Sequence, residues 1–291
     1  MIEASHFDPN VAYASVDRHQ LQDFAPYLYR TRDGGKSWQL ITRGLPAVGY
    51  AHTVKEDPKR KGFLVAGTEL GAFASMDDGE TWQPLQLNLP VTSVRDFQFY
   101  DNDLIVGTFG RGIWVIDDIS PLRQLDANVL ASDAYLFKPA DAINYVQGGD
   151  EGTPFQKDEA QAENPADGAY IYYYLKDHAS GPVTVEIMDA SGKTIATLSS
   201  EASAATSGRR RRASGGGIPN VSPLWQTPPE LLSTAAGIHR AVWEPIASVT
   251  PGGDGFRRAT TRLTGTFTAK LTANGKSYTQ TFTVKPDPRG A

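Results

Sequence analysis

Metal sites, nucleophile pairs and phosphate cradles each need particular side chains at particular spacings, and this 291-residue sequence contains few of them. The five histidines stand apart at His6, His19, His52, His178 and His239, so no local pair offers metal ligands. There is no cysteine, which removes disulfides, thiolate ligands and a thiol nucleophile. No Gly-x-Ser-x-Gly elbow occurs, and the glycines of Gly107-Thr108-Phe109-Gly110-Arg111-Gly112 are misspaced for a dinucleotide fingerprint. No catalytic residue, metal or cofactor is therefore expected. That segment does offer Arg111, set between two glycines in a tight turn where a ligand can approach closely. A guanidinium there can grip a carboxylate or a sugar hydroxyl, or pair with Asp96 or Asp118 to fasten the structure. Glu69, after Gly67-Thr68, holds the matching position one repeat earlier, and Arg111, Asp96 and Glu69 are the candidate binding residues.

The elements that would carry these residues are repeated. Thr31-Arg32-Asp33-Gly34-Gly35-Lys36-Ser37-Trp38 and Ser75-Met76-Asp77-Asp78-Gly79-Glu80-Thr81-Trp82 align as Ser/Thr-x-Asp-x-Gly-x-Ser/Thr-Trp, with Asp33 and Asp77 44 residues apart. That is the length of a propeller blade. Short alternating segments flank each copy, as in a hairpin. Asp33 and Asp77 can accept from turn amides, Gly35 and Gly79 can take positive φ, and Trp38 and Trp82 can bury a ring under the turn. Turn chemistry thus accounts for these six residues without invoking catalysis. Phe63-Leu64-Val65-Ala66-Gly67-Thr68 recurs as Asp103-Leu104-Ile105-Val106-Gly107-Thr108, and Val115-Ile116-Asp117-Asp118 is a faded third copy of the turn. Asn10 to Ser15 matches the same strand of a first unit, making about three repeats.

These residues resemble the Asp-box, or bacterial neuraminidase repeat, of sialidases, xyloglucan-cleaving glycosidases and sortilin-like propellers. The run from Asn88-Leu89-Pro90 through Val94-Arg95-Asp96 to Asp117-Asp118 is similar to the closing blades of large bacterial sortilin-type proteins, many labelled glycosyl hydrolases. In that family a histidine is expected where Phe109 stands. The resemblance implies a partial β-propeller over residues 1–138. Three blades do not close a ring, so it also implies a fragment of a longer parent chain, or a partner that supplies the remaining blades. The parent is expected to be exported, periplasmic or extracellular, although Met1 to Asp8 has no apolar run of a signal peptide.

Residues 139–168 turn to Gly, Asp, Glu, Pro and Gln, as in a linker or long loop. From 169 to 291 six or seven strand-like runs follow, with an Asp189-Ala190-Ser191-Gly192 turn and an Asn274-Gly275 hairpin signal. One face of the Tyr170 to Leu175 run must be core, and alternation alone does not say which. Gly237 to Trp243 and the ending from Tyr278 to Pro288 resemble the immunoglobulin-like modules that follow such propellers. A Ser, Ala, Gly and Pro-rich stretch near 199–229, around Arg209 to Arg212, reads as a mobile, solvated insertion. The fold class is thus all-β, a partial Asp-box propeller followed by an immunoglobulin-like sandwich. A net charge of −5 disfavours nucleic acid, and no apolar run is long enough for a membrane span. Strong fold signals without a catalytic constellation point to a binding or scaffold module that recognises a polypeptide or glycan through propeller loops. The alternative is part of a glycoside hydrolase whose paired acids, about 5 to 9.5 Å apart, lie mainly in missing blades.

Overall fold

The computed structural model describes residues 1–145, 165–201, 231–247, 250–251, 258–259 and 261–289. The protein is all-β and divides into two compact units, Met1–Asp126 and Ala127–Ala291. The Arg209 to Arg212 run and residues 202–229 of the expected insertion lie outside the described residues.

The first unit is a row of three antiparallel sheets. Blade 1 is β1 (Ile2–Ala4), β2 (Ala12–Val16), β3 (Tyr27–Thr31) and β4 (Gln39–Leu40), hydrogen-bonded in that order. Blade 2 repeats it with β5 (Ala51–Glu56), β6 (Leu64–Thr68), β7 (Gly71–Ser75) and β8 (Gln83–Pro84). Blade 3 has three strands, β9 (Ser93–Tyr100), β10 (Asp103–Phe109) and β11 (Ile113–Ile116), followed by the short helix α1 (Ser120–Gln124).

Strand alternation decides how the row is held together, because successive residues face opposite neighbours. Tyr13, Leu28 and Ile41 of blade 1 pack against Val54, Leu64, Ala66, Phe73 and Trp82 of blade 2. The other face of blade 2, with Phe63, Val65, Ala72 and Ala74, packs against Val94, Phe97, Leu104 and Val106 of blade 3. Strands β6 and β7 are therefore buried along their whole length. At Gly67 the fit between backbones is tight enough that a Cβ would lie 2.5 Å from Val94 O, which is why a glycine interrupts an otherwise apolar strand.

Both repeated turns are built alike. Asp33 Oδ1 accepts from Thr31 Oγ1 at 2.8 Å and Ser37 N at 2.9 Å, while Oδ2 accepts from Ser37 Oγ at 2.6 Å. Asp77 repeats this with Ser75 Oγ at 2.7 Å, Thr81 N at 2.8 Å and Thr81 Oγ1 at 2.5 Å. Gly35 and Gly79 take positive φ, and each donates its amide to the Thr31 or Ser75 hydroxyl. The Ser37 hydroxyl and amide, with Thr31, hold the Asp33 carboxyl at about 2. In blade 3 the turn survives in part: Asp118 Oδ1 accepts from Ser120 N at 3.0 Å. Burial pushes the Asp118 carboxyl up despite that bond.

The two tryptophans part company. Trp82 is 2% exposed, its ring on blade 1, with Nε1 donating to Ile41 O at 2.7 Å and its amide to Arg43 O at 2.9 Å. Trp38, expected to bury under its turn in the same way, is 39% exposed, since among the described residues no neighbouring sheet covers it. A polar interlock reinforces the first junction. The buried Arg30 guanidinium reaches from blade 1 to Asp78 Oδ2 at 3.1 Å and Glu80 Oε1 at 2.7 Å, and also donates to Asp78 O. Tyr13 donates to Asp78 Oδ1 at 2.5 Å, and burial, then the carboxylates of Asp78 and Glu56, push its phenol well above the ordinary value.

In the second unit, α2 (Ala127–Ala131) precedes β12 (Ala134–Leu136), β13 (Ala142–Asn144), β14 (Ala169–Leu175), β15 (Thr184–Met188), β16 (Thr194–Ser199), β17 (Gly237–Trp243), β18 (Thr250–Pro251), β19 (Arg258–Ala259), β20 (Gly265–Ala273) and β21 (Lys276–Pro286). One sheet runs β12-β14-β17, the other β13-β21-β20-β15-β16, and their inner faces share one core. Ile171, Tyr173 and Leu175 face inward, which leaves Tyr170, Tyr172 and Tyr174 half-buried on the other side. Trp243, Phe267 and Phe282 meet at ring separations of 5.0 to 6.0 Å in the middle. Asn274 and Gly275 both take positive φ, as a type I′ turn requires.

The division at Asp126 falls earlier than the boundary at 138 read from the sequence. The reason is pairing: β12 is hydrogen-bonded to β14, and β13, inside the expected 139–168 linker, runs parallel to β21. Buried Asn144 fixes β13 by donating to Pro245 O at 2.9 Å and Leu263 O at 3.1 Å.

The contrast between the tryptophans gives a direct test. Trp82→Ala should destabilise the first unit by about 3–5 kcal/mol, whereas Trp38→Ala should cost under about 1 kcal/mol, read from urea unfolding followed by circular dichroism. Equal losses at both positions would show that the blade junction does not depend on the buried ring.

Candidate functional site

Glu69 sits at the tip of the β6–β7 hairpin, and two other chain segments converge on it. His52 comes from β5, Ser93 and Arg95 from β9, and Tyr50 from the approach to β5. A single oxygen, Glu69 Oε1, accepts from His52 Nε2 at 2.7 Å, Ser93 Oγ at 2.9 Å and Arg95 Nη2 at 3.1 Å. Tyr50 adds a bond from its phenol. Burial alone would raise the Glu69 carboxyl, but the donors from His52, Ser93 and Tyr50 outweigh it and hold the group below its ordinary value. The Tyr50 phenol moves the other way, raised by burial and by its bond to the carboxylate.

Serine, histidine and an acid in contact invite comparison with a nucleophilic triad, and the wiring is wrong for one. In a triad the acid holds one ring nitrogen and the serine faces the other. Here Ser93 Oγ lies 3.2 Å from His52 Nε2, the same nitrogen that donates to Glu69, so no lone pair is left to take the serine proton. The other nitrogen, Nδ1, faces Arg95 Nη1 at 3.4 Å. The cluster fixes side chains in place, and its histidine is not wired as a base for the serine.

Around it lies an exposed ledge of rings and cations. His19 stacks on Tyr50 at 4.7 Å, Tyr50 meets His52 edge-on at 4.9 Å, and half-exposed Phe24 lies 6.4 Å from Tyr50. Asp17 orients the His19 ring through Nδ1 at 2.6 Å. On the other side the Arg95 guanidinium lies 5.1 Å over Phe109, whose ring is 71% exposed at the end of β10.

Of the residues predicted from sequence, Glu69 is the centre of this cluster. Arg111 is exposed in the next hairpin tip, where Gly110 and Gly112 take positive φ and Trp114 Nε1 donates to Arg111 O at 2.9 Å. Among the described residues no ion pair joins Arg111 to Asp96 or Asp118, so its guanidinium is not the blade fastener that the sequence allowed. Asp96 stands apart from Glu69, accepting from Thr53 Oγ1 at 3.4 Å. His52, Ser93, Arg95, Tyr50 and Phe109 escaped the sequence reading. The available signal was positional: Glu69 follows Gly67-Thr68 as Phe109 follows Gly107-Thr108, so its match in the next repeat is Phe109 and not Arg111, which stands two residues further on. Among the described residues no group of three or more acidic or histidine side chains is arranged to hold a metal, and no helix is long and apolar enough to cross a membrane.

No protein-family model matches the chain, and no curated protein matches it. Solved structures with some likeness include a chain described as YCF48 bound to D1 peptide, at 14% identity and TM-score 0.27, covering 68% of this chain and 52% of that one. Another is an ancestral GH74 enzyme, at 12% identity and TM-score 0.27, covering 68% of this chain and 26% of that one. This chain thus spans about half of the first and a quarter of the second. At that score neither bears on what this protein does, and the assignment of blades rests on the sheets and repeats themselves.

The depressed Glu69 carboxyl has a definite pH signature. Its contribution to stability is present above the ordinary glutamate range and disappears as pH falls through the lowered folded value. The stability gap between wild type and Glu69→Gln, measured by urea unfolding, should be present at about pH 7 and close towards about pH 3. A gap that does not change with pH would mean that the carboxylate charge is irrelevant to the cluster.

Proposed function

We propose that this chain is a non-catalytic binding module, an Asp-box propeller piece of the bacterial sortilin type with an immunoglobulin-like sandwich behind it, that holds a polypeptide or glycan on the hairpin tips of blades 2 and 3. The observation that carries this reading is the committed carboxylate: Glu69 accepts from His52, Ser93 and Arg95 through one oxygen, which organises a rigid base under exposed binding groups. The groups left for a ligand are the Arg95–Phe109 pair, the Tyr50 and Phe24 rings, and Arg111 on its glycine-flanked tip. Aromatic rings and guanidinium groups are the side chains that dominate binding hot spots, and both suit peptide groups and sugars alike. A ligand reaching this ledge meets donors and ring faces, with Glu69 withdrawn into its own bonds. The binding face belongs to the loops, and the repeated turns with Asp33, Gly35, Trp38, Asp77, Gly79 and Trp82 serve the frame.

The full chain is to be screened against immobilised peptide and glycan arrays, with hits measured by calorimetry. Phe109→Ala and Arg111→Ala should each weaken a hit by about tenfold or more, equivalent to about 1.4 kcal/mol, without changing the circular dichroism spectrum. Turnover of a glycan that is lost on replacing Glu69 or Asp96 would instead establish a hydrolase.

A further inference from the structure

His52 and Arg95 share one carboxylate, and they also touch each other. Glu69 Oε1 lies 2.7 Å from His52 Nε2 and 3.1 Å from Arg95 Nη2. A carboxyl held below its ordinary value is ionised and can only accept, so Nε2 carries the ring proton. The other ring nitrogen, Nδ1, faces Arg95 Nη1 at 3.4 Å. A guanidinium can only donate, so Nδ1 presents its lone pair there and the ring in this geometry is neutral. Among the described residues Arg95 thus has two anchors, the Glu69 oxygen and the His52 lone pair, and together they set its guanidinium over the Phe109 ring.

A proton removes one of those anchors. Imidazole takes its second proton at the nitrogen that still has a lone pair, here Nδ1. The acceptor facing Arg95 then becomes a donor, and an imidazolium stands against a guanidinium with one carboxylate charge to share between them. The two cations are not equally placed to keep it. The His52 side chain is 8% exposed, whereas that of Arg95 is 45% exposed and makes the longer bond. A buried charge is costly without its partner, and an exposed guanidinium regains water, so Arg95 is the one that leaves. The other ionisable groups near the ring are bonded elsewhere or to Glu69. Tyr50 and Ser93 donate to Glu69. On the loop between β2 and β3, Asp17 holds His19 at 2.6 Å and Asp23 pairs with Arg18. Further along β5, Lys55 bonds to Glu3 and Glu56 accepts from His6 N, while the Met1 ammonium donates to Ser15 O on β2. From the far side of β9, Asp96 accepts from Thr53.

We infer that His52 is a proton switch for this ledge: when Nδ1 gains a proton, Arg95 leaves Glu69 and Phe109 for water, so the grip on a ligand is present at neutral pH and released in acid. The release of ligand rests on the binding role proposed above, while the movement of Arg95 does not. Protonation also tightens the bond between His52 and Glu69 into an ion pair, so the base of the cluster stays in place while its exposed arm swings away.

The test is an NMR titration of the full wild-type chain from about pH 8 to about pH 5, across the range in which histidines change charge. The Arg95 Nε–H resonance should move with the same midpoint as the His52 ring. His52→Gln keeps an amide donor for Glu69 but cannot titrate, and should hold the Arg95 resonance still over that range. His19→Gln should leave the wild-type movement intact. An Arg95 resonance that stays put while His52 titrates, or that follows His19 instead, would overturn the inference, and the first of these outcomes is read on the wild type without any variant. A ligand that Arg95→Ala weakens at about pH 8 should bind the wild type about fivefold or more weakly at about pH 5. Equal affinity at both would sink the release. A screen that yields no ligand would count against the binding role alone, since the Arg95 resonance is followed without one.

Discussion

The junction between blades 1 and 2 is the contact from which the rest of the first unit takes its form. Its centre is the Trp82 ring lying on blade 1 with its indole N–H bonded to Ile41 O. Beside it the Arg30 guanidinium, 1% exposed, is matched by acids supplied by the turn of the next sheet. A buried cation is tolerable only when its partners are in place, and both of its acid partners here come from blade 2. The repeated turn therefore acts twice: it closes its own hairpin, and it hands a ring and two acids to the sheet before it. Blade 2, covered on both sides, shows the completed state, and blades 1 and 3 each show one half of it.

The loops are organised by a different logic. Glu69, His52, Ser93 and Arg95 are all polar, and they gather where the hairpin tip of one sheet meets the first strands of its own and the next sheet. Three donors on one carboxylate oxygen hold that side chain in a fixed geometry. The next tip is longer by one residue, since Gly107 pairs with Ile113 where Gly67 pairs with Ala72. That extra length lifts Arg111 clear of the sheet on its two glycines, next to Phe109, where the sequence resemblance led us to expect histidine.

What could be read in the residues beforehand was local. The Asp33 and Asp77 turns, the Asn274-Gly275 hairpin and the alternating strands depend on neighbours within a few positions, and they are where the sequence put them. The choice of Ile171, Tyr173 and Leu175 as the buried set was not legible, because both sets of that strand are large and partly apolar, and the opposing sheet decides. Trp38 and Trp82 occupy the same place in the same motif and differ in burial, since exposure depends on whether a neighbouring sheet exists. The Glu69 cluster joins residues scattered from 50 to 95, and the end of the first unit depends on β12 pairing with β14 far along the chain. Neither leaves a pattern at short range.

The repeated turns also carry a consequence for the order of events in folding. Every bond that Asp33 makes closes within four residues, and those of Asp77 do likewise. Loops that short close in well under a microsecond, while the pairing of sheets with one another waits on much larger searches of chain conformation. Each hairpin therefore has its register set before its neighbours arrive. The slow step left to the first unit is the docking of preformed sheets, one against the next, along a line.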